Sequence, residues 1–238
     1  MRRDADLVPL SRHIQRYLME NSAAGQSLRY VVGKRGHLVK MAKAIGAVRL
    51  SDLEPLAVRD YILGLKAKGR SARTCNATLA SAIAFVNWGR RNGLIADNPL
   101  ATLPKLDEAV DRRIERRAMT ADELGRLFSV SGPRAVVYKT AVLTGLRRSE
   151  LGALCWRDVD LEGARMVVRA ETSKAKRTDE IPIHPELIGD LLRLRDGATP
   201  QARVFPAIPS IHEFRDDLGA AEIPEEDAAG RRVDSHAL

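Results

Sequence analysis

The sequence predicts a mainly α protein of two domains: a helical N-terminal half, then an α+β half with a small antiparallel sheet. Three observations lead there. Apolar positions recur at helical spacing through residues 9–92 without a clear alternating run, two short β-rich stretches occur at 165–170 and 179–183, and 238 residues are enough for two compact cores.

The N-terminal half divides into four helices at roughly 9–21, 27–45, 55–67 and 71–92. Pro55 sits in a first helical turn, and Gly46, Gly69 and Gly93 stand where three of the helices stop. In the fourth, Cys75, Leu79, Ile83 and Val86 share one face. Arg73, Ala77, Ala84 and Trp88 lie towards the other, where small residues permit close approach by a neighbouring helix or by DNA phosphates. Asn98-Pro99 closes the first domain, 1–99, and residues 100–117 read as a linker.

The second domain, 118–238, opens on Thr120-Ala121-Asp122-Glu123, a capping box ahead of Leu124, Leu127 and Phe128. Helices are expected at about 134–143 and 148–155. The strands at 165–170 and 179–183 flank a polar tip, 171–178, and Pro182 confines the second of them to a sheet edge or a strand end. Helices return at about 185–195 and 209–221.

Charge is distributed unevenly. Residues 1–117 carry 22 Lys and Arg against 11 Asp and Glu, while residues 118–238 carry 17 against 20, within a net charge of +8. A polyanion fits the basic half, because each phosphate neutralised by Lys or Arg releases condensed counterions. A solvated surface is the plainer reading. Lys34, Arg35, His37, Lys40 and Lys43 run along the second helix and invite both. Candidate DNA contacts are Lys34, Arg35, Lys40, Arg73 and Arg91.

Several chemistries lack their residues. Cys75 and Cys155 stand alone, the five histidines show no metal-ligand spacing, and no GxxxxGK[ST], GxGxxG or GxSxG run occurs. No apolar stretch approaches the roughly 20 residues that span a bilayer. A soluble, cytoplasmic protein without metal or cofactor is expected, and nothing resembles an RNP or KH signature.

Thr144-Gly145-Leu146-Arg147-Arg148-Ser149-Glu150-Leu151, followed by Trp156-Arg157-Asp158-Val159-Asp160, resembles the first catalytic box of the tyrosine recombinases, the phage integrase family. Three further features resemble that family in order and spacing. They are Ser173-Lys174-Ala175-Lys176-Arg177 before Glu180-Ile181-Pro182-Ile183, Asp234-Ser235-His236-Ala237-Leu238 at the opening of an HxxR box, and the four-helix unit ahead of them.

The resemblance implies a SAM-like core-binding domain joined to a catalytic domain that performs site-specific DNA recombination through a phosphotyrosyl intermediate, without metal or nucleotide. In it Arg147 clamps the scissile phosphate, Glu150 orients Arg147, Lys174 protonates the leaving 5′ hydroxyl and His236 handles protons at the phosphate. The chemistry agrees for Arg147, because a guanidinium offers paired donors where charge develops on non-bridging oxygens. Locally, Arg147 is also able simply to start a helix and pair with Glu150. Lys176 and Arg177 are neighbouring alternatives to Lys174, which fits the family's spacing to Pro182.

The second arginine of HxxR would follow Leu238, and the tyrosines present, Tyr17, Tyr30, Tyr61 and Tyr138, all precede Arg147. The expectation is a recombinase cut within its third box, an incomplete catalytic domain that binds duplex DNA and does not cut it. The intact parent would form a homotetramer on DNA, and this chain would bind a half-site as a monomer. The alternative is a non-catalytic DNA-binding regulator that competes for recombination sites.

Overall fold

A computed structural model of the chain describes residues 3–173 and 176–234. The chain divides into two compact units, Met1–Arg113 and Ile114–Leu238.

Four helices build the first unit: α1 (Leu10–Ala23), α2 (Leu28–Ala44), α3 (Pro55–Ala67) and α4 (Ala72–Arg91). Local chemistry sets their ends. Ser27 and Ser71 accept backbone N–H bonds from Tyr30 and Thr74, which satisfies donors that the first turns of α2 and α4 would otherwise leave open. At the end of α3, Gly69 takes φ +79°, so that its N–H reaches Lys66 O and the next N–H reaches Leu65 O.

α4 is the central helix and packs against the other three. Its Cys75, Leu79, Phe85 and Val86 are fully enclosed, each such burial contributing about 1.5–3 kcal/mol for a large side chain. Trp88, expected on the opposite face, is buried too. The reason is that α1 covers the C-terminal half of α4: Tyr17, Phe85 and Trp88 form a triangle with centroids 5.5–5.8 Å apart, and Trp88 Nε1 donates to Glu20.

Residues 100–113 pack with this unit. Asn76 Nδ2 donates to Leu106 O and Glu108, while its Oδ1 accepts from Leu106 N. Asp111 accepts from Ala72 N at the start of α4 and pairs with Lys66 at 2.7 Å.

The second unit is α+β. Thr120 and Glu123 cap α5 (Ala121–Val130) reciprocally, and α6 (Ala135–Thr144) and α7 (Arg148–Ala153) follow. An antiparallel sheet, β2 (Val159–Asp160), β3 (Arg165–Val168) and β4 (Asp179–Pro182), pairs Met166 with both Val159 and Ile181. β4 is an edge strand with Pro182 at its end, where a missing N–H costs no ladder bond. α8 (Pro185–Arg195) and α9 (Ile211–Ala220) complete the helices, and β1 (Glu115–Arg116) runs parallel to β5 (Arg231–Arg232). The two-residue strands β1, β2 and β5 are absent from the sequence expectation because two residues carry no alternation to detect.

Met166, Leu187, Leu191 and Phe205 anchor one core of this unit, and Leu127, Tyr138, Phe214 and Leu218 a second. Among the described residues no helix is long and apolar enough to cross a membrane.

Asp217 ties the second core together. It accepts from Arg134 Nε at 2.8 Å and from the Tyr138 hydroxyl at 2.7 Å while itself buried. Burial raises its pKa, but the bonds from Arg134 and Tyr138 prevail and hold it below the usual carboxylate range. Asp217→Asn is expected to cost about 3 kcal/mol near neutrality, read from the urea midpoint. A depressed folded-state pKa gives stability above the unfolded value of about 4 that is lost as pH falls through the folded value, so the midpoint gap should close on acidification.

Candidate functional site

Arg147 stands where α6 hands over to α7. Gly145 ends α6 at φ +67°, a conformation that a Cβ would strain, and the chain then extends so that Arg147 becomes the N-cap of α7 at φ −69°, ψ 153°. An arginine has no acceptor to offer a helix start. Glu150 closes this turn instead: one carboxylate oxygen accepts the Arg147 N–H at 2.9 Å and the other accepts from its guanidinium at 3.1 Å. The Glu150 side chain is 5% exposed and that of Arg147 is 56% exposed. A fixed anion thus holds a cation that remains open to solvent.

Arg148 turns the other way and donates to Pro209 O and Ile208 O. With Arg147 it lines a cavity of about 150 Å³ together with Val137, Tyr138, Leu151 and Phe214. Tyr138 presents no free phenol there, because its hydroxyl is bound to Asp217 and burial pushes its pKa up.

The other end of α7 is tied to the sheet. Arg169, just beyond β3, reaches Ala153 O at 3.4 Å and pairs with the buried Asp158 at 3.2 Å; Arg203 also donates to Ala153 O. Thr172 and Ser173 return their N–H groups to Arg169 O at 3.0 and 2.9 Å. Lys174 and His236 lie outside the described residues. Among the described residues, no group of three or more His, Cys, Asp or Glu is placed to hold a metal ion.

In the first unit the candidate contacts part company. Lys34 is half-buried: its Nζ donates to the Tyr17 hydroxyl at 2.7 Å and lies 4.7 Å from the Tyr30 ring centroid. Burial lowers its pKa, but the bonds to Tyr17 and Tyr30 outweigh this and raise it. Arg35 is exposed and lines an apolar groove of about 780 Å³ with Met19, Leu28, Val32 and Val39. Lys40 lies five residues on, about 140° round the helix, so Arg35 and Lys40 face different surroundings.

Lys40 shares its side of α2 with Gly33, His37 and Ala44. Across from it on α4, Arg73, Ala77, Ala84 and Arg91 fall within about 40° of arc, and Arg73, Ala77 and Arg91 are exposed. The link between these two faces is His37 Nδ1 at 2.9 Å from Ser81 Oγ. His37 belongs to the charge run of α2 and is not among the candidate contacts. The signal for the pair is Ser81, a polar residue at a buried position of an apolar helix.

The site thus combines a basic helical unit with an α+β unit that presents a solvent-facing arginine on a buried glutamate. No family model matches the chain. It is similar to the tyrosine recombinase XerC of Xanthomonas campestris pv. campestris (strain B100), with 25% identity over 208 residues, 83% of this chain and 61% of that protein. It is also similar to the prophage integrase IntR of Escherichia coli (strain K12), with 34% identity over 103 residues, 43% of this chain and 24% of that protein. A crystal structure of a lambda integrase dimer bound to a COC′ core site shares its fold, with a TM-score of 0.74 at 16% identity, over 97% of this chain and 86% of that one. These similarities are to members of the tyrosine recombinase, or phage integrase, family. It spans about three fifths of the length of the XerC relative.

The Arg147–Glu150 geometry predicts unequal stability effects. Glu150→Ala removes the acceptor of the N-cap N–H and should cost about 2 kcal/mol, whereas Arg147→Ala, at a half-exposed pair, should cost about 1 kcal/mol or less. Chemical denaturation of the two variants checks the order.

Proposed function

We propose that this chain engages duplex DNA as part of site-specific recombination, with Arg147 as the clamp on the scissile phosphate. The observation that carries this reading is the solvent-open guanidinium of Arg147 held on the buried Glu150 carboxylate. A guanidinium on a fixed carboxylate meets a phosphate without first searching for an orientation, so little freedom is lost on binding and more of the attraction acts as charge develops on the non-bridging oxygens. Glu150 is a positioning residue. It takes one edge of the guanidinium and leaves the accessible remainder to the anion.

Lys174 and His236 are proposed to act with Arg147, the lysine as the acid for the departing 5′ hydroxyl and the histidine as a proton-handling group at the phosphate. In the family's reaction a tyrosine hydroxyl attacks phosphorus, a phosphotyrosyl bond forms and the 5′ oxygen leaves with a proton. Of the tyrosines, Tyr17 is packed in the first core and Tyr138 is bound to Asp217, so neither phenol is free for that attack. The proposal for these residues by themselves is therefore DNA binding without strand cleavage. The same observation favours a second reading, a DNA-binding regulator that competes for recombination sites.

Lys40, Arg73 and Arg91 are proposed to bind backbone phosphates from the open face of α2 and α4. Each phosphate so neutralised adds about 0.9 to the slope of log affinity against log salt.

A gel-shift assay on duplexes selected from a randomised pool tests the whole reading. Binding is expected to weaken steeply with salt, and Lys40→Gln with Arg73→Gln should lower the slope by about two. Arg147→Ala should weaken binding about tenfold, and Arg147→Lys should not restore it, since a lysine cannot reproduce the planar fork. Incubation with a nicked duplex should leave no covalent adduct. An adduct would overturn the non-cleaving part, and loss of all duplex binding would overturn the reading itself.

A further inference from the structure

On the open face shared by α2 and α4, one side chain has its hydrogen-bonding character dictated from inside the fold. Ser81 Oγ lies 2.8 Å from Ala77 O, and because a carbonyl oxygen only accepts, the hydroxyl hydrogen goes there. Ser81 therefore meets His37, at 2.9 Å, as an acceptor, and Nδ1 must carry a hydrogen to donate. Burial, followed by the charges of Lys40 and Lys34, lowers the pKa of His37 and keeps the ring neutral near pH 7. A neutral imidazole with its hydrogen on Nδ1 has a lone pair on Nε2.

The surroundings suit a duplex. His37 is half-buried, with Lys40 one turn along the same helix and the exposed Ala77 and Ala80 beside Ser81 on α4. Gly33 lies one turn earlier, and a Cβ added there meets nothing within 4 Å. Cations at the margins of such a face hold the sugar-phosphate backbone, and they carry no sequence information. A neutral acceptor at its centre does. In the major groove the hydrogen-bond donors are the exocyclic amino groups of adenine and cytosine, and guanine and thymine present acceptors at the corresponding positions.

We propose that His37 is a specificity-determining residue, its Nε2 accepting a hydrogen bond from an adenine or cytosine amino group, with Ser81 fixing the tautomer that makes this possible. The inference rests on the reading of the chain as a DNA-binding recombinase and adds to it the residue that discriminates between bases. Ser81 acts through His37 and is a positioning residue.

The test uses the full chain and a duplex pool with a randomised central segment, sequenced after selection. The wild-type chain is expected to enrich a motif with a preference of about tenfold for A or C at one position. His37→Ala should reduce that preference to less than twofold, and its effect on affinity should fall on the selected motif far more than on unselected duplex. Ser81→Ala should give an intermediate preference. A second measurement avoids any folding defect of the variants: once the pH is taken below the lowered pKa of the wild-type ring, the ring gains a proton against the opposing charges of Lys40 and Lys34, and Nε2 becomes a donor. The preference at that same position should then move towards G or T. If His37→Ala weakens all sequences equally, or leaves every base preference intact, the inference is overturned while the DNA-binding reading stands. If the wild-type chain binds no duplex, both fall.

Discussion

The carboxylate of Glu150, buried beneath a solvent-facing guanidinium, sets the geometry on which the proposed chemistry of the second unit depends. Its two oxygens have separate tasks. One closes the first turn of a six-residue helix that would otherwise begin on a residue without an acceptor, and the other holds Arg147. A half-exposed ion pair contributes only about 0–1 kcal/mol, so the pair is a poor explanation of stability. Its effect is on orientation: a long, rotamer-rich side chain is fixed before any ligand arrives, and ordering it later would cost about 0.5–1.5 kcal/mol.

The first unit follows a different logic. α4 is covered by α1, α2 and α3 over much of its surface, yet one arc, from Arg73 through Ala77 and Ala80, remains open. Arg91 returns to that arc at the far end, after the stretch where Trp88 is drawn into the core by Tyr17 and Phe85. Cations therefore flank a region of methyl groups and backbone, a surface that a phosphate backbone can approach closely. Lys34, by contrast, is held by Tyr17 and Tyr30, which places it among the groups that organise the unit.

Much of this was legible in the sequence. The helices of both units lie close to their expected positions because caps and stop signals are local: Ser71, Pro55, Gly69 and the Thr120/Glu123 box act within a turn of where they stand. Trp88 was misplaced because a helical wheel shows which residues share a face and not how far along the helix a neighbour covers it. Arg35 and Lys40 illustrate the same limit, since adjacency in a charge run says nothing of the 140° or so that separates them. Arg147 and Glu150 were legible through their spacing of three residues. The difference in burial that separates their roles, with Glu150 buried and Arg147 exposed, arises from tertiary packing that no local pattern reports.

The least local feature is the anchoring of α7 at both ends. Its start is fixed by Glu150, and its last carbonyl, Ala153 O, takes donors from Arg169 and Arg203, two residues from different segments. Arg169 also pairs with Asp158, whose other oxygen accepts the Cys155 N–H, so the turn leaving α7 and the end of β3 are braced against the same buried anion. Thr172 and Ser173 then fold back onto Arg169 O. The consequence is that the root of the polar tip is positioned with respect to the helix that carries Arg147, through a chain of bonds no longer than 3.4 Å. A short helix of this kind would fray if left to its own propensity. Clamped at its two termini by charged groups, it can hold a guanidinium at one end and the base of a hairpin at the other in a constant relation, as an arginine and a lysine acting on one phosphate would require.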